Sequence, residues 1–170
     1  MPTEPHIVER AEQPYVAIRG VVTMRTIAEI ADRLPEVFGR VGAHGVEPAG
    51  APFFKYNLID MEGRLEIEAG VPVAAVAEAA DIAQDAGELF SGVLPAGRYA
   101  TVTHAGHPSG LLDATAALLD WAAERGLRWD MAETRDGEKW GCRLELYKTD
   151  PRVEPDMNKW ETELAFRLAD

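Results

Sequence analysis

Apolar and polar positions change period several times along the chain, and each change marks an element. Residues 15–22 (Tyr-Val-Ala-Ile-Arg-Gly-Val-Val) form a short, β-branched apolar run, the composition of a strand. From residue 26 to 44, apolar side chains recur at Ile27, Ile30, Ala31, Leu34, Val37, Phe38 and Val41, the three-and-four spacing of an amphipathic helix, with Gly42 and Gly45 suited to ending it. Pro35 has no backbone N–H to donate, so the pattern predicts a kink or a split there. Two further strands, 53–59 and 65–73, flank Asp60-Met61-Glu62-Gly63, a polar break ending in Gly that reads as a hairpin turn.

The second half repeats that order. After an acidic, Ala-rich link (74–87) with some helical character, residues 99–104 read as a strand. Residues 111–125 carry Leu111, Leu112, Thr115, Leu118, Leu119 and Ala122 on one helical face and stop at Gly126. Residues 139–148 and 160–168 then alternate as paired strands do, around a Pro- and Asp-rich loop at 149–156 that cannot continue a ladder. Tyr15 and Tyr99 stand 84 residues apart, as do Gly42 and Gly126. The expected fold is α+β: one domain over residues 1–170, built from strand-helix-strand-strand repeats at about 6–73 and 88–170. They share one antiparallel sheet, with two helices on one face and an open ligand cleft on the other.

Alternation then assigns faces. It places Cys142, Leu144 and Leu146 against the helices and sends Arg143, Glu145 and Tyr147 to the open side. On the last strand Thr162, Leu164, Phe166 and Leu168 point to the helices, and Glu161, Glu163, Ala165 and Arg167 away from them. In the first half Leu65, Ile67, Ala69 and Val71 are inward, leaving Glu66, Glu68, Gly70 and Pro72 on the open side. Carboxylates, aromatic rings and small residues on one concave face suit a flat, apolar and preferably cationic molecule. An ordinary solvated face of an antiparallel sheet carries the same alternation.

Charge and composition narrow the classes. The 170 residues hold 17 Lys and Arg against 29 Asp and Glu, a net charge of −12. Such a surface repels phosphate backbones, so no direct nucleic-acid binding is expected. A 46% hydrophobic, 27% charged composition is that of a globular protein, and no run approaches the roughly 20 apolar residues of a membrane helix. The single cysteine, Cys142, excludes an internal disulfide. With no basic start or apolar leader at the N-terminus, the expected location is the cytoplasm.

The run Arg143-Leu144-Glu145-Leu146-Tyr147-Lys148-Thr149-Asp150-Pro151, followed by Trp160-Glu161-Thr162-Glu163-Leu164, resembles the signature of the GyrI-like small-molecule-binding domain, also found as the effector domain of AraC-type regulators. Residues 65–73 resemble the family's corresponding first-half strand, and His104-Ala105-Gly106 its motif before the second helix. The likeness spans about residues 8–168. It implies the same duplicated fold and a cleft between the halves that takes hydrophobic, often cationic ligands against a buried glutamate and aromatic rings. By matching position Glu145 is the pocket carboxylate and Tyr147 its aromatic neighbour. One departure is the final strand, which reads Phe166-Arg167-Leu168 where the family commonly has a Pro-containing apolar run.

The resemblance supports two readings. The first is a stand-alone binding protein for bulky hydrophobic or cationic molecules, serving sensing, sequestration or detoxification. Since the domain fills the chain, no helix-turn-helix segment is expected. The second is a hydrolase that opens strained cyclopropyl rings of DNA-alkylating natural products, as some stand-alone family members do. There Glu145 is the acid or base and Tyr147 its partner. A face that meets a protein is a third, plainer possibility. The candidate ligand-binding set is Tyr56, Glu68, Trp140, Glu145, Tyr147, Trp160 and Glu163. Trp140 and Trp160 are as well suited to core filling as to a pocket wall, and Phe54 shares a strand with Tyr56 whose facing alternation leaves open. His104 and His107 lack a further ligand at metal spacing, so neither metal nor cofactor is expected.

Overall fold

Each half of the chain contains the strand, helix, strand, strand order that its hydrophobic periods predict, with further elements added around it. The computed structural model describes residues 4–60, 62–85 and 87–170. The first half comprises β1 (His6–Arg10), β2 (Gln13–Val22), α1 (Ala28–Ala31), α2 (Leu34–Ala43), β3 (Phe53–Ile59), β4 (Leu65–Pro72) and α3 (Val76–Asp85). The second comprises β5 (Phe90–Leu94), β6 (Gly97–Ala105), α4 (Leu111–Glu124), β7 (Met131–Thr134), β8 (Gly137–Trp140), β9 (Arg143–Tyr147) and β10 (Glu161–Arg167). All ladders are antiparallel, and the sheet order is β1-β6-β10-β9-β3-β4-β2-β5, with β7 and β8 as a hairpin on β3. One strand from each half, β3 and β9, therefore pair at the centre, through Phe53↔Leu146 and Phe54↔Glu145. Among the described residues no helix is long and apolar enough to cross a membrane.

Local departures from the periodic pattern have local causes. The 26–44 helix splits in two, and Pro35 sits in the first turn of α2, where its missing N–H costs nothing. The β3–β4 hairpin closes with Gly63 N–H on the Asp60 carbonyl at 2.8 Å and Gly63 at φ 100; Met61 of the predicted turn lies outside the described residues. The expected 139–148 strand breaks at Gly141, whose N–H turns to the Asp130 carbonyl, and a Cβ there would strike the Asp130 carboxylate. β1, β5 and β7 are additions to the predicted set, and the first two residues of the expected 139–148 strand belong to β8, which pairs with β7. The 74–87 link holds α3.

Both faces of the sheet are buried, and this corrects the facing of β9. Val16, Ile18 and Val71 pack with Val37 and Val41 of α2 and Ile82 of α3. Ala100, Val102, Leu164 and Phe166 pack with Leu118 of α4. The other face gathers Tyr15, Phe53, Leu94, Tyr99, Cys142, Leu144, Leu146 and Ala165 into a cluster to which no helix contributes, covered by the curl of the sheet itself. Register fixes the sides. Glu145 lies opposite Leu164, and Arg143 opposite Phe166, so Arg143, Glu145 and Tyr147 face the helices, while Cys142, Leu144 and Leu146 face away. The expectation reverses because a second apolar core lies under the helix-free face; alternation shows which residues share a face, not which face the helices cover. The assignments of β4 and β10 stand as expected.

Candidate functional site

The central pair β3 and β9 carries a polar cluster on the helix side, at the junction of the halves. Glu145 is half-buried there, and its Oε1 accepts from Tyr147 Oη at 2.8 Å and from Tyr56 Oη at 3.0 Å. Alternation places all three together: Tyr147 is two residues beyond Glu145 on β9, and Phe54, across from Glu145, is two before Tyr56 on β3. The Phe54 ring meets Tyr147 edge-on at 5.4 Å and Tyr56 at 6.4 Å. Ile27, Ala31 and Leu34, from α1 and its flanks, pack over this aromatic group. Burial pushes the Glu145 carboxyl above its ordinary range, against the lowering effect of the two tyrosine hydroxyls and of Arg143. Burial first, and then the facing carboxylate, push both phenols well above theirs. The result is a carboxylate surrounded by aromatic rings and neutral donors, with no cation in ion-pair contact among the described residues. Such a group attracts a cation when ionised and donates a proton when neutral.

The remaining candidate residues are placed elsewhere. Glu68 and Glu163 lie on the helix-free face. Glu68, 3% exposed, accepts from Tyr15 Oη and from Asn57 Nδ2 at 2.5 Å, and Lys55 Nζ stands 3.6 Å away. Glu163 pairs with Arg10 at 3.0 Å and Lys148 at 3.2 Å and accepts from Thr101 at 3.0 Å. Burial raises its carboxyl, but those cations outweigh burial and hold it below the ordinary range. Trp140 is core: it packs with Trp129 and Phe166 at 5.6 and 5.7 Å, and its Nε1 donates to Glu138. Trp160 Nε1 donates to the Glu154 carbonyl at 2.7 Å and pins the Pro-rich loop. His104 Nε2 engages the His107 carbonyl and His107 Nδ1 accepts from Ser109 N–H, local contacts of a turn. Among the described residues no group of three or more His, Cys, Asp and Glu is arranged to hold a metal ion.

Several polar residues in these arrangements escape sequence reasoning. Lys55 and Asn57 share a face with Glu68 by alternation, a signal available once β3 is oriented. Arg10 has no such signal, because it stands on an edge strand that the hydrophobic pattern does not reveal and reaches Glu163 across the fold. The helix-free face also holds a cavity of about 310 Å³, lined by Phe53, Leu94, Tyr99, Leu144 and Leu146, with Arg10 and Lys148 among its polar residues.

Comparison with known proteins places the chain. The GyrI-like small molecule binding domain matches residues 3–169. No curated protein matches the sequence. Among solved structures, the EcmrR C-terminal domain superposes with a TM-score of 0.75 at 18% identity, covering 98% of each chain. The same fold makes up 57% of the EcmrR chain solved in its DNA complex. SAV2435 bound to tetraphenylphosphonium gives a TM-score of 0.65 at 14% identity, over 98% of this chain and 94% of that one. A hydrolase from Listeria innocua gives 0.66 at 14%, over 98% and 92%. With the family match running over nearly every residue, the chain belongs to the GyrI-like small molecule binding domain family.

Proposed function

We propose that the protein binds bulky, hydrophobic organic cations at the junction of its halves, with Glu145 supplying the counter-charge and Phe54, Tyr56 and Tyr147 the aromatic wall. The observation that carries this reading is the environment of Glu145, a half-buried carboxylate whose hydrogen-bond partners are two phenols. A carboxylate held this way sits above its ordinary pKa and gains most from a partner that brings positive charge without water. Aromatic faces add cation–π attraction for the same ligand. SAV2435, which shares the fold, was solved with tetraphenylphosphonium, an apolar cation of this kind.

Calorimetric titration with tetraphenylphosphonium tests the reading. Glu145→Gln keeps shape and hydrogen-bonding capacity but removes the charge, and affinity should fall by about 5- to 150-fold, the equivalent of roughly 1–3 kcal/mol. A neutral tetraphenyl analogue should lose much less. Equal losses for both would refute the charge role.

A second reading is hydrolysis. A carboxyl with a raised pKa beside two phenols is equipped for general acid–base work, and a Listeria innocua relative in fold is described as a hydrolase. Water would add to a cyclopropyl carbon as the strained C–C bond breaks, with Glu145 taking the water proton and returning one to the leaving carbon. Mass spectrometry of a cyclopropyl alkylating compound after incubation should then show the gain of one water. That product should disappear with Glu145→Gln, and a mass that never changes would exclude this reading.

A further inference from the structure

Two residues before Glu145 on the same strand and the same face lies Arg143, a half-buried cation close enough to act on Glu145 through its charge. Its guanidinium is held over the Phe166 ring at 4.4 Å and the Trp140 ring at 4.8 Å. The two ring centroids are only 5.7 Å apart, so both rings flank one side of the group, and its five N–H donors make no hydrogen bond among the described residues. The cations of the helix-free face are committed: Arg10 and Lys148 to Glu163, Lys55 to Glu68, Arg167 to Asp130. Arg143 has no ion pair among the described residues, and neither does Glu145. Glu138 accepts from Trp140 Nε1 and, like Glu145, acts on Arg143 through its charge without closing an ion pair. Strand neighbours two apart that together bear both charges, without closing on each other, present a bipolar surface.

We propose that the ligand of this site carries an anionic group beside its apolar, cationic body, and that the Arg143 guanidinium reads that anion while Glu145 reads the cation. This rests on the Glu145 reading above and makes it narrower: the ligand class is a zwitterionic aromatic compound, not a simple organic cation. Two physical consequences support it. An unpaired guanidinium within Coulomb range of the site lowers affinity for a cation that brings no anion. Burial also lowers the Arg143 pKa, so its charge gains from a partner that restores what desolvation removes.

Rhodamine B and its ethyl ester make the test, since they share one cationic xanthene and differ in a free carboxylate. Fluorescence titration of the wild-type protein should show tighter binding of rhodamine B than of the ester. Arg143→Met keeps an apolar stem on Trp140 and Phe166 but removes the charge. It should weaken rhodamine B by about 10- to 100-fold, the loss expected for a charge-assisted contact, and leave the ester unchanged or tighter, so that the preference reverses. Arg143→Gln, less demanding of the core, must move the ratio the same way should the Met variant unfold. A ratio unchanged in both variants, or equal weakening of the two dyes, would overturn the proposal. Glu145→Gln separates it from the underlying reading. If that variant weakens both dyes while the Arg143 variants leave the ratio alone, only the role of Arg143 fails. If Glu145→Gln affects neither dye, the site itself is misassigned and the Arg143 proposal fails with it.

Discussion

The two faces of the central strands hold carboxylates in contrasting states. On the helix-free face Glu68 and Glu163 have cations within contact, Lys55 for the first and Arg10 with Lys148 for the second. On the helix side the hydrogen-bond partners of Glu145 among the described residues are phenols, and the nearby Arg143 lies against the Phe166 and Trp140 rings and closes no ion pair there. Burial acts on all three, but only where cations answer it does the carboxylate become part of the internal structure. The same residue type thus serves as a structural element on one side and, on the reading proposed here, as a binding group on the other.

The sharpest way to break this contrast is at Glu68. Glu68→Gln leaves Lys55 buried without its counter-charge and should cost about 3 kcal/mol in urea denaturation, the usual penalty for stranding one member of a buried pair. Tetraphenylphosphonium affinity should hardly move. Glu145→Gln should do the reverse: a binding loss in the range given above, with stability at neutral pH unchanged or slightly higher, because a charge that burial disfavours has been removed.

The effect of Glu163→Gln is smaller, about 1 kcal/mol, because its partners Arg10 and Lys148 are 30% and 43% exposed and solvent screens them. Its pH signature is more telling than its size. A carboxyl held below its unfolded value stabilises the fold above that value and loses the contribution as pH falls through the folded pKa. Glu145 has the opposite sign. Its folded pKa is raised, so the folded state holds the proton more tightly, and stability falls as pH rises from the ordinary carboxylate range through the raised value. Thermal unfolding across acidic pH should therefore lose part of its acid sensitivity in Glu163→Gln and gain some in Glu145→Gln. Cation affinity should weaken on acidification before ordinary carboxylates titrate. The exposed Glu161 sets the baseline, and Glu161→Gln should alter neither stability nor binding measurably.

Much of this arrangement is legible in the sequence, and what is hidden has a physical reason. The periods of 26–44 and 111–125 reveal the helices, and the polar break at 60–63 reveals the hairpin. β1 and β5 stay hidden because they are five-residue edge strands, and β5 carries a Gly at its centre where Tyr15 presses against the backbone. Alternation brings Glu145 and Tyr147 together, and the family likeness singles them out. Neither tells which way β9 faces, since Leu144 and Leu146 are as buried under the curl as Leu164 is under α4. Nor does sequence separate Glu145 from Glu68 and Glu163, because what distinguishes them is long-range: Arg10 reaches Glu163 from the far edge of the sheet, and Tyr56 reaches Glu145 across the junction of the halves.

The claim that a ligand is read on the helix side, at Glu145, is tested most directly by methyl-labelled NMR during a tetraphenylphosphonium titration, since phenyl ring currents shift only the methyls they approach. Ile27, Ile30 and Leu34 pack on the Glu145 side, whereas Leu94, Leu144 and Leu146 line the helix-free face. The account predicts large, saturable shifts in the first three and little change in the second. Saturable shifts confined to Leu94, Leu144 and Leu146 would put the ligand in the cavity beside Arg10 and Lys148 and contradict it.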